Sequence, residues 1–285
     1  MPEIPWLEAL VAALRPQVSG RTIRATHLHS AALLKSVHPP LAALAGATVQ
    51  DVRRRGKLLL FDLSGGLVMI VHLGRDGRLQ VVPSGQRLAK DVALALALDD
   101  GNDLRLVERG PKKRAGLYLR RAEEVEGTEP LSTLGLEPLD EAFSAPVLAA
   151  MLAQAQMQLK RFLTSQRYLA GIGNAWADEI LWEARLSPFA LTGSLQPEEQ
   201  QRLHTAIREV LQRSIEEHRA RFGQTLPLRE PEDLFRIHRR AGQECPRCGG
   251  RLAAVYFQER ETSYCPGCQT GGKVYADRRL SRLLK

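Results

Sequence analysis

Four cysteines near the C-terminus have the spacing of a metal site. They form the pairs Cys245-Pro-Arg-Cys248 and Cys265-Pro-Gly-Cys268, with sixteen residues between the pairs. Two thiolates on each of two tight turns can close around one Zn²⁺ ion, and the spacer is long enough for a β-hairpin. Disulfides or redox C-x-x-C motifs are the alternatives, but a chain of 285 residues does not need disulfide staples. We predict one structural zinc ion, because four protein ligands leave no open position for catalysis.

The first three residues, Met1-Pro2-Glu3, offer a different chemistry. Removal of the initiator methionine ahead of the small residue Pro2 would leave a secondary amine at the terminus. An α-amino group has a pKa of about 7.7–8.0, so a neutral fraction can attack an electrophilic carbon and form a Schiff base. Glu3 beside it could carry protons. The alternative, which these three residues alone favour, is a frayed terminus on which little depends.

Two lysines and an asparagine could bind phosphate. Lys57 stands at the head of an apolar strand, where it can touch phosphate or act as a general acid; the alternative is a charge that protects an edge strand from aggregation. Gly171-Ile172-Gly173-Asn174 predicts a helix opened by an Asn cap, with its backbone N–H groups available to a phosphate. Lys160 on the preceding helix could assist. A plain interhelical turn and a solvated lysine are the alternatives there.

Arg260 lies within the predicted hairpin between the two cysteine pairs. An arginine at a rigid tip could enter a nucleic-acid groove or hold a phosphate. The alternative is an exposed arginine paired with Glu259 or Glu261, which would contribute little.

The elements that must position these groups follow from periodicity. Residues 5–16 have one apolar stripe and predict a helix, and residues 48–120 predict a meander of strands with short turns. Helical patterns follow over 151–163, 175–184 and 197–219. We therefore predict an α+β fold with four parts in chain order: an N-terminal β-sandwich with a flanking helix at 1–125, a linker at 126–145, a helix-two-turn-helix domain at 146–235, and a zinc β-hairpin finger with a C-terminal tail at 236–285.

Composition points to a polyanionic partner. The net charge is +8 and the isoelectric point about 9.6, and basic residues cluster at 53–55, 112–114, 236–240 and 278–279. Each cluster could equally be a solvated face. No apolar run approaches the ~20 residues of a membrane span, and residues 1–20 lack the features of a signal peptide, so we predict a cytoplasmic protein that does not engage membranes.

Taken together and in order, these motifs resemble the formamidopyrimidine-DNA glycosylase and endonuclease VIII family of base-excision repair enzymes. The resemblance covers essentially the whole chain and is specific in its combination. The motifs that carry it are Met-Pro-Glu-Ile-Pro at the start, Arg-Arg-Gly-Lys-Leu-Leu-Leu-Phe around Lys57, His72-Leu73-Gly74, Leu134-Gly-Leu-Glu-Pro-Leu139, Gly171-Ile-Gly-Asn174, and Arg260-Glu-Thr-Ser-Tyr-Cys-Pro-Gly-Cys-Gln269.

The resemblance implies a bifunctional DNA glycosylase and abasic-site lyase. Pro2 would attack C1′ of the damaged nucleotide and displace the base, and Glu3 would handle protons at the sugar ring. Lys57 would contact phosphate and assist the reaction, and Arg260 would grip phosphates and assist the later elimination. The iminium intermediate acidifies C2′, so the strand breaks by β- and then δ-elimination.

The resemblance also implies contacts with DNA. Asn174 and Lys160 would bind the backbone near the lesion, and we add His72, Lys112 and Arg75 as further DNA-binding candidates. The implied partner is damaged DNA, with oxidised bases as the expected lesions, bound by a monomer associated with the bacterial nucleoid.

Several positions depart from the family pattern. Trp6 stands where an acidic residue is usual, and Arg75 where members that remove oxidised purines carry Met. The stretch 110–116, with Lys112-Lys113-Arg114, replaces an Asp-Pro-Arg-Arg-Phe-Gly loop, and the histidine expected near 89–91 is missing. Cations bind phosphate well but hold a duplex open poorly. We therefore expect an altered lesion preference, with single-stranded or distorted DNA as an alternative to regular duplex.

Two other functions remain open at this point. One is a non-catalytic zinc-finger protein that binds DNA or recognises damage. The other is an RNA-associated zinc-ribbon protein of the translation machinery, which explains the charge and the finger but gives no role to Pro2-Glu3.

Overall fold

The computed structural model describes residues 1–257 and 260–275, and the chain divides into two compact units. The first unit comprises Met1–Thr133 together with His218–Glu230, and the second comprises Leu134–Glu217 together with Pro231–Lys285. The four-part division expected from the sequence is finer than this and stays a prediction. Among the described helices, not one combines the length and the apolarity needed to cross a bilayer.

The first unit is a β-sandwich with a helix, as the sequence predicts. The elements are α1 (Ile4–Val18), β1 (Ile23–Leu28), β2 (Val49–Arg55), β3 (Leu58–Leu63), β4 (Leu67–His72), β5 (Gly77–Pro83), β6 (Val92–Leu98), β7 (Asn102–Glu108) and β8 (Gly116–Arg121). The strands form two four-stranded antiparallel sheets, with orders β1-β6-β7-β5 and β2-β3-β4-β8. Short 3₁₀ turns occupy Ala31–Leu33, Leu41–Leu44 and Ala122–Glu124.

Helix α1 buries the stripe that its sequence predicts. Leu7, Leu10 and Leu14 are fully buried and pack in one core cluster with apolar side chains from both sheets. Burying each such side chain contributes about 1.5–3 kcal/mol. The helix continues to Val18, two residues past Pro16, where Ser19 N–H donates to Arg15 O at 3.0 Å. The core therefore fixes the chain within a few residues of its start.

The second unit contains the helices and the finger. Its elements are α2 (Ala145–Ala155), α3 (Leu159–Thr164), α4 (Asn174–Glu183), α5 (Pro197–Phe222), β9 (Ala253–Phe257), β10 (Arg260–Tyr264) and α6 (Pro266–Gln269), with 3₁₀ turns at Thr192–Ser194 and Glu232–Leu234. Helix α5 extends past the unit boundary, and its residues from His218 belong to the first unit. The mixed α+β class is confirmed.

One helix expected from the sequence is two helices. The apolar pattern over 151–163 predicts a continuous helix, but Gln156 adopts a left-handed conformation with φ of 40° and ends α2. Thr192 N–H then donates to Met157 O at 2.8 Å, and Gln158 caps α3. Periodicity missed this break because the residues on either side of it are equally apolar.

Candidate active site and zinc site

Lys57 lies in the tight turn between β2 and β3, at one end of the second sheet. The next residue, Leu58, pairs with His72 of β4, which in turn pairs with Gly116 of β8. Strand β3 has a neighbour on each side, so the alternative that Lys57 protects a sheet edge is wrong. The lysine side chain is buried, a position in which its charge acts strongly on nearby groups.

The α-amino group of Met1 lies among four charges. Burial is the largest influence and holds its pKa below the usual value; Lys57 and Arg75 lower it further, whereas Glu3 and Glu230 raise it. The adjoining Pro2 is buried. The chain is therefore packed in the first unit from Pro2 onward, whereas Met1 is 56% exposed.

His72 belongs to the same group of residues. Burial lowers the pKa of its imidazole, the charges of Lys57 and the terminal amine lower it further, and a hydrogen bond with the Arg114 backbone opposes them. The structure thus brings Glu3, Lys57, His72 and Arg75 together around the terminal amine. We call these groups, with Glu230, the amine site. Glu230 was not found from the sequence.

The loop after β7 carries the cations that replace the family's loop. The carboxylate of Glu108 is buried and accepts hydrogen bonds from the backbone N–H groups of Arg114 and Ala115, the second at 2.8 Å. Gly74, with φ of 61°, lies so close that a Cβ there would be 2.8 Å from the Arg114 carbonyl carbon. This fixed backbone presents Lys112 and Lys113, with Arg114, as exposed side chains.

In the second unit, Lys160 and Asn174 meet at one carbonyl. Lys160 Nζ and Asn174 Nδ2 donate to Glu261 O of β10 at 2.6 and 2.7 Å. Asn174 is the first residue of α4, and Gly173 is the cap, so the predicted Asn cap is wrong. The side-chain amide of Asn174 donates its hydrogen bond to the hairpin strand β10 instead. Lys160 is buried, which also rules out the solvated lysine.

Two carboxylates of α4 hold the hairpin and the segment before it. Asp178 forms ion pairs with Lys160 Nζ at 2.6 Å and His238 Nδ1 at 2.8 Å, and accepts from Ser263 N–H at 3.2 Å. The side chain of Asp178 is fully buried. We call Asp178 and these three partners, together with Glu179, the hairpin anchor.

Glu179 completes this anchor through main-chain contacts. Its carboxylate accepts from the N–H groups of Arg236, Ile237 and His238 at 3.0, 2.9 and 2.8 Å. Burial raises the pKa of Glu179 above its usual value, and the three N–H donors oppose that rise. The sequence carried a signal for the acidic pair, because two carboxylates between Trp176 and Trp182 interrupt an apolar helix.

The four cysteine sulfurs lie within 4.8 Å of one another. The Sγ atoms of Cys245 and Cys268 are 3.9 Å apart, and those of Cys248 and Cys265 are 3.5 Å apart. Tetrahedral Zn²⁺ with Zn–S bonds of about 2.3 Å requires sulfurs about 3.8 Å apart. The site therefore fits one structural zinc ion, as the sequence predicts.

The finger packs on α4 through Trp182. The indole Nε1 donates to Cys245 Sγ at 3.4 Å, and the Arg247 guanidinium lies 4.0 Å from the ring centroid. Burial raises the pKa of Cys245, but hydrogen bonds from the Arg247 and Cys248 backbones and from Trp182 outweigh it and lower the pKa to about 6. A thiolate is the form that binds metal.

Arg260 is placed only in part. Its backbone pairs with Phe257 across the hairpin, whereas its side chain lies outside the described residues, as do Gln258, Glu259 and the basic pair at 278–279. The role expected for Arg260 therefore stays a prediction.

Three family models match successive parts of the chain. They are the formamidopyrimidine-DNA glycosylase N-terminal domain at residues 1–111, the formamidopyrimidine-DNA glycosylase H2TH domain at residues 134–224, and a zinc finger found in FPG and IleRS at residues 242–271. Their order reproduces the order of the sandwich, the helices and the finger.

Whole-chain comparisons agree with these models. A formamidopyrimidine-DNA glycosylase of Symbiobacterium thermophilum is 38% identical over 94% of this chain and 89% of its own length, and one of Thermus thermophilus is 36% identical over 95% and 100%. The crystal structure of Lactococcus lactis Fpg bound to DNA with an oxidised pyrimidine superposes with a TM-score of 0.85, 25% identity and coverage of 94% and 100%. A second crystal structure, of Lactococcus lactis Fpg bound non-covalently to DNA with an AP site, superposes with a TM-score of 0.84 and 25% identity. The match covers 94% of this chain and 99% of that one.

Proposed function

Since this chain belongs to the formamidopyrimidine-DNA glycosylase family, we propose that it excises damaged bases from DNA and then cleaves the resulting abasic site. The observation that carries the proposal is the amine site. Burial, with the charges of Lys57 and Arg75, lowers the pKa of the Met1 amine at this place, and the adjoining Pro2 is itself buried. The amine that removal of Met1 would expose on Pro2 therefore enters surroundings that favour its neutral form. A neutral amine is the form that can act as a nucleophile.

The reaction follows from removal of Met1, which transfers the amine to the buried Pro2. The Pro2 nitrogen attacks C1′ and gives up its proton, and the bond between C1′ and the base breaks as the base leaves with its electron pair and takes up that proton. Glu3 protonates O4′ as the sugar ring opens, which leaves a cationic iminium between Pro2 and C1′. Loss of a C2′ proton then expels the 3′-phosphate, and a second elimination expels the 5′-phosphate.

The remaining site residues have roles in binding. Lys57, His72 and Arg75 flank the amine and are suited to contact the phosphates and the sugar of an extruded nucleotide. Extrusion costs about a few kcal/mol, so these contacts must offset it. Such sites are charged because phosphate contacts supply most of the affinity for DNA.

Lys160 and Asn174 would bind the DNA backbone from the second unit. Each already donates one hydrogen bond to Glu261 O, and Lys160 also pairs with Asp178. An ammonium has three donor hydrogens and an amide two, so each side chain retains a donor for a phosphate oxygen. The Glu261 contact then fixes their direction. Arg260 in the same strand would add a further phosphate contact.

The exposed loop with Lys112 sets the expected lesion context. Its cations suit phosphate, whereas proteins that pry base steps apart insert apolar side chains. We therefore expect oxidised bases in distorted or single-stranded DNA to be processed better, relative to regular duplex, than by members with the apolar loop. The protein would act as a monomer.

Borohydride trapping tests the reaction. Reduction of the iminium should cross-link the parent protein to an oligonucleotide with an abasic site, and peptide mass spectrometry should locate the adduct at Pro2. A variant extended by residues that prevent exposure of Pro2 should give no adduct. Glu3→Gln should bind the oligonucleotide but lose base excision, by about 10²-fold or more for removal of a general acid.

A non-catalytic DNA-binding protein is the second candidate, favoured by the cationic loop alone. That function predicts salt-dependent binding to the same oligonucleotides without adduct in the parent protein. An adduct at a residue other than Pro2 would contradict the proposed Pro2 mechanism.

A further inference from the structure

Residues 223–230 form a segment that follows α5 and packs on the sandwich. Gln17 Nε2 of α1 donates to Gln224 O at 3.2 Å, and Arg78 Nε of β5 donates to Leu228 O at 2.6 Å. Leu226 packs against the core cluster of the first unit. The segment is thus held at three points along its length.

Arg78 links this segment to the start of the chain. Its guanidinium lies 5.4 Å from the ring centroid of Trp6, and it donates to Arg75 O at 3.1 Å. Trp6 lies in the first turn of α1, four residues after Pro2. The end of the segment is therefore brought to the same neighbourhood as the amine site.

The segment ends at Glu230, and its carboxylate is held by a buried histidine. Glu230 Oε1 lies 3.3 Å from His218 Nε2. The His218 side chain is 1% exposed, whereas that of Glu230 is 27% exposed. A fixed donor on its buried side and partial accessibility suit a carboxylate that acts on a neighbouring group.

We propose that Glu230 is a second carboxylate of the amine site, placed there by His218 to stabilise positive charge on the terminal nitrogen. The proposal rests on the function proposed above and adds a charge-stabilising residue to it. In support, burial is the largest influence on the pKa of the Met1 amine and lowers it, and the charge of Glu230 raises that pKa, after Glu3 and ahead of the opposing effects of Lys57 and Arg75. The Pro2 nitrogen is the next amine along the same chain.

The nitrogen carries positive charge in two states of the reaction. The protonated fraction of the amine carries it before the reaction, and the iminium carries it after the base has left. Glu3 delivers a proton to O4′ in between, so its own charge changes between these two states. Glu230 undergoes no proton transfer in this scheme, so it can offset the charge in both states.

The charged groups around Glu230 and the amine come from several elements. Glu3 precedes α1, Lys57 is in the β2–β3 turn, and His72 and Arg75 are at the end of β4 and in the following turn. Arg78 and Arg229 lie near Glu230 and near each other. Removal of Glu230 leaves this set more positive, which disfavours a cationic amine.

A titration without DNA tests the electrostatic part. The rate at which fluorodinitrobenzene labels the terminal amine, located by peptide mass spectrometry, follows the neutral fraction. Since Glu230 raises the amine pKa, Glu230→Gln should move this pH profile to lower pH. Glu232→Gln is the matched control, because it removes the same charge from an exposed residue that pairs with Arg239. Glu230→Asp, which keeps the charge, should restore the profile at least in part.

Trapping tests the catalytic part. At a pH above the titration of every variant, Glu230→Gln should give about twofold to fivefold slower adduct formation than the parent, the range expected for an interaction between partly exposed charges. Thermal unfolding midpoints would show that the variants are folded.

The outcomes separate the two proposals. Superimposable labelling profiles for Glu230→Gln, Glu232→Gln and the parent would overturn the role of Glu230, even if the parent forms its adduct. A shifted profile with unchanged trapping would overturn the catalytic role. No adduct in the parent would overturn the proposed function itself, whatever the labelling shows.

Discussion

The amine site and the hairpin anchor use charge in opposite ways. Around the terminal amine, two anions and two cations act on one nitrogen whose own charge would change in the proposed reaction. In the anchor, the carboxylate of Asp178 is fully buried and its partners are themselves fixed by backbone contacts. The first arrangement allows the terminal nitrogen to gain and lose a proton. The second holds Lys160 and β10 in a single geometry.

The difference suggests how the two units divide the work. A group whose charge stays constant can be buried beside a fixed partner of opposite charge, because the attraction between them offsets the free-energy cost of removing both from water. A reacting nitrogen needs neighbours of both signs, so that neither its neutral nor its cationic form is strongly disfavoured.

Removal of zinc should have the largest effect, and only on the second unit. Zinc binding in finger peptides is worth about 10–16 kcal/mol, so chelation should unfold the finger around Cys245 and Cys265. Hydrogen exchange should then accelerate at the amides of Cys245 and Leu252, which bond within the finger, while the β3 and β4 amides stay protected. Added Zn²⁺ should reverse the change. Equal loss of protection in the sandwich would contradict this separation.

Asp178→Ala should come next. The substitution leaves the buried Lys160 and His238 without their carboxylate, and breaking a buried pair costs about 3–5 kcal/mol. Hydrogen exchange of α4 amides in the parent and the variant measures the loss. Glu183→Ala on the same helix is the control, because its ion pairs with Arg213 and Arg247 are partly exposed and should contribute about 1 kcal/mol or less. Equal losses of α4 protection in the two variants would contradict a larger stabilising contribution from the hairpin anchor than from a partly exposed ion pair.

The pH dependence of His72 should give the smallest effect. Its pKa is lowered in the folded state from 6.5, so the unfolded chain binds a proton first as pH falls. The free energy of unfolding therefore decreases below about pH 6.5, until the folded imidazole is also protonated. His72→Gln should remove this part of the decrease, as measured by urea unfolding from pH 7.5 to 5. His29→Gln, at an exposed position of the same unit, is the control and should retain it.

Local motifs made much of both regions predictable. The cysteine spacing gives the zinc site without further information, because two short turns suffice to bring the ligands together. The apolar runs of β3 and β4 predict two neighbouring strands and so place Lys57 at the end of a sheet. In each case the deciding residues are neighbours in the chain.

The supporting groups could not be predicted, because their partners are distant in sequence. Glu230 belongs to the segment that follows α5, more than 200 residues from Glu3. His238 hydrogen-bonds Asp178, which is 60 residues earlier in the chain. No periodicity relates such positions. The Asn174 side chain shows the same limit: its local context indicates a cap, whereas a carbonyl 87 residues away takes the hydrogen bond.

The loop after β7 owes its path to main-chain contacts with Glu108 and to the close approach of Gly74. Lys113 adds a hydrogen bond from its Nζ to the Glu108 carbonyl oxygen. The contacts of Glu108 and Gly74 are to main-chain atoms, so they do not depend on which exposed side chain stands at position 112. Exchange of an exposed side chain there would therefore be a way to alter the proposed lesion preference while Glu108 and Gly74 keep the path of the loop.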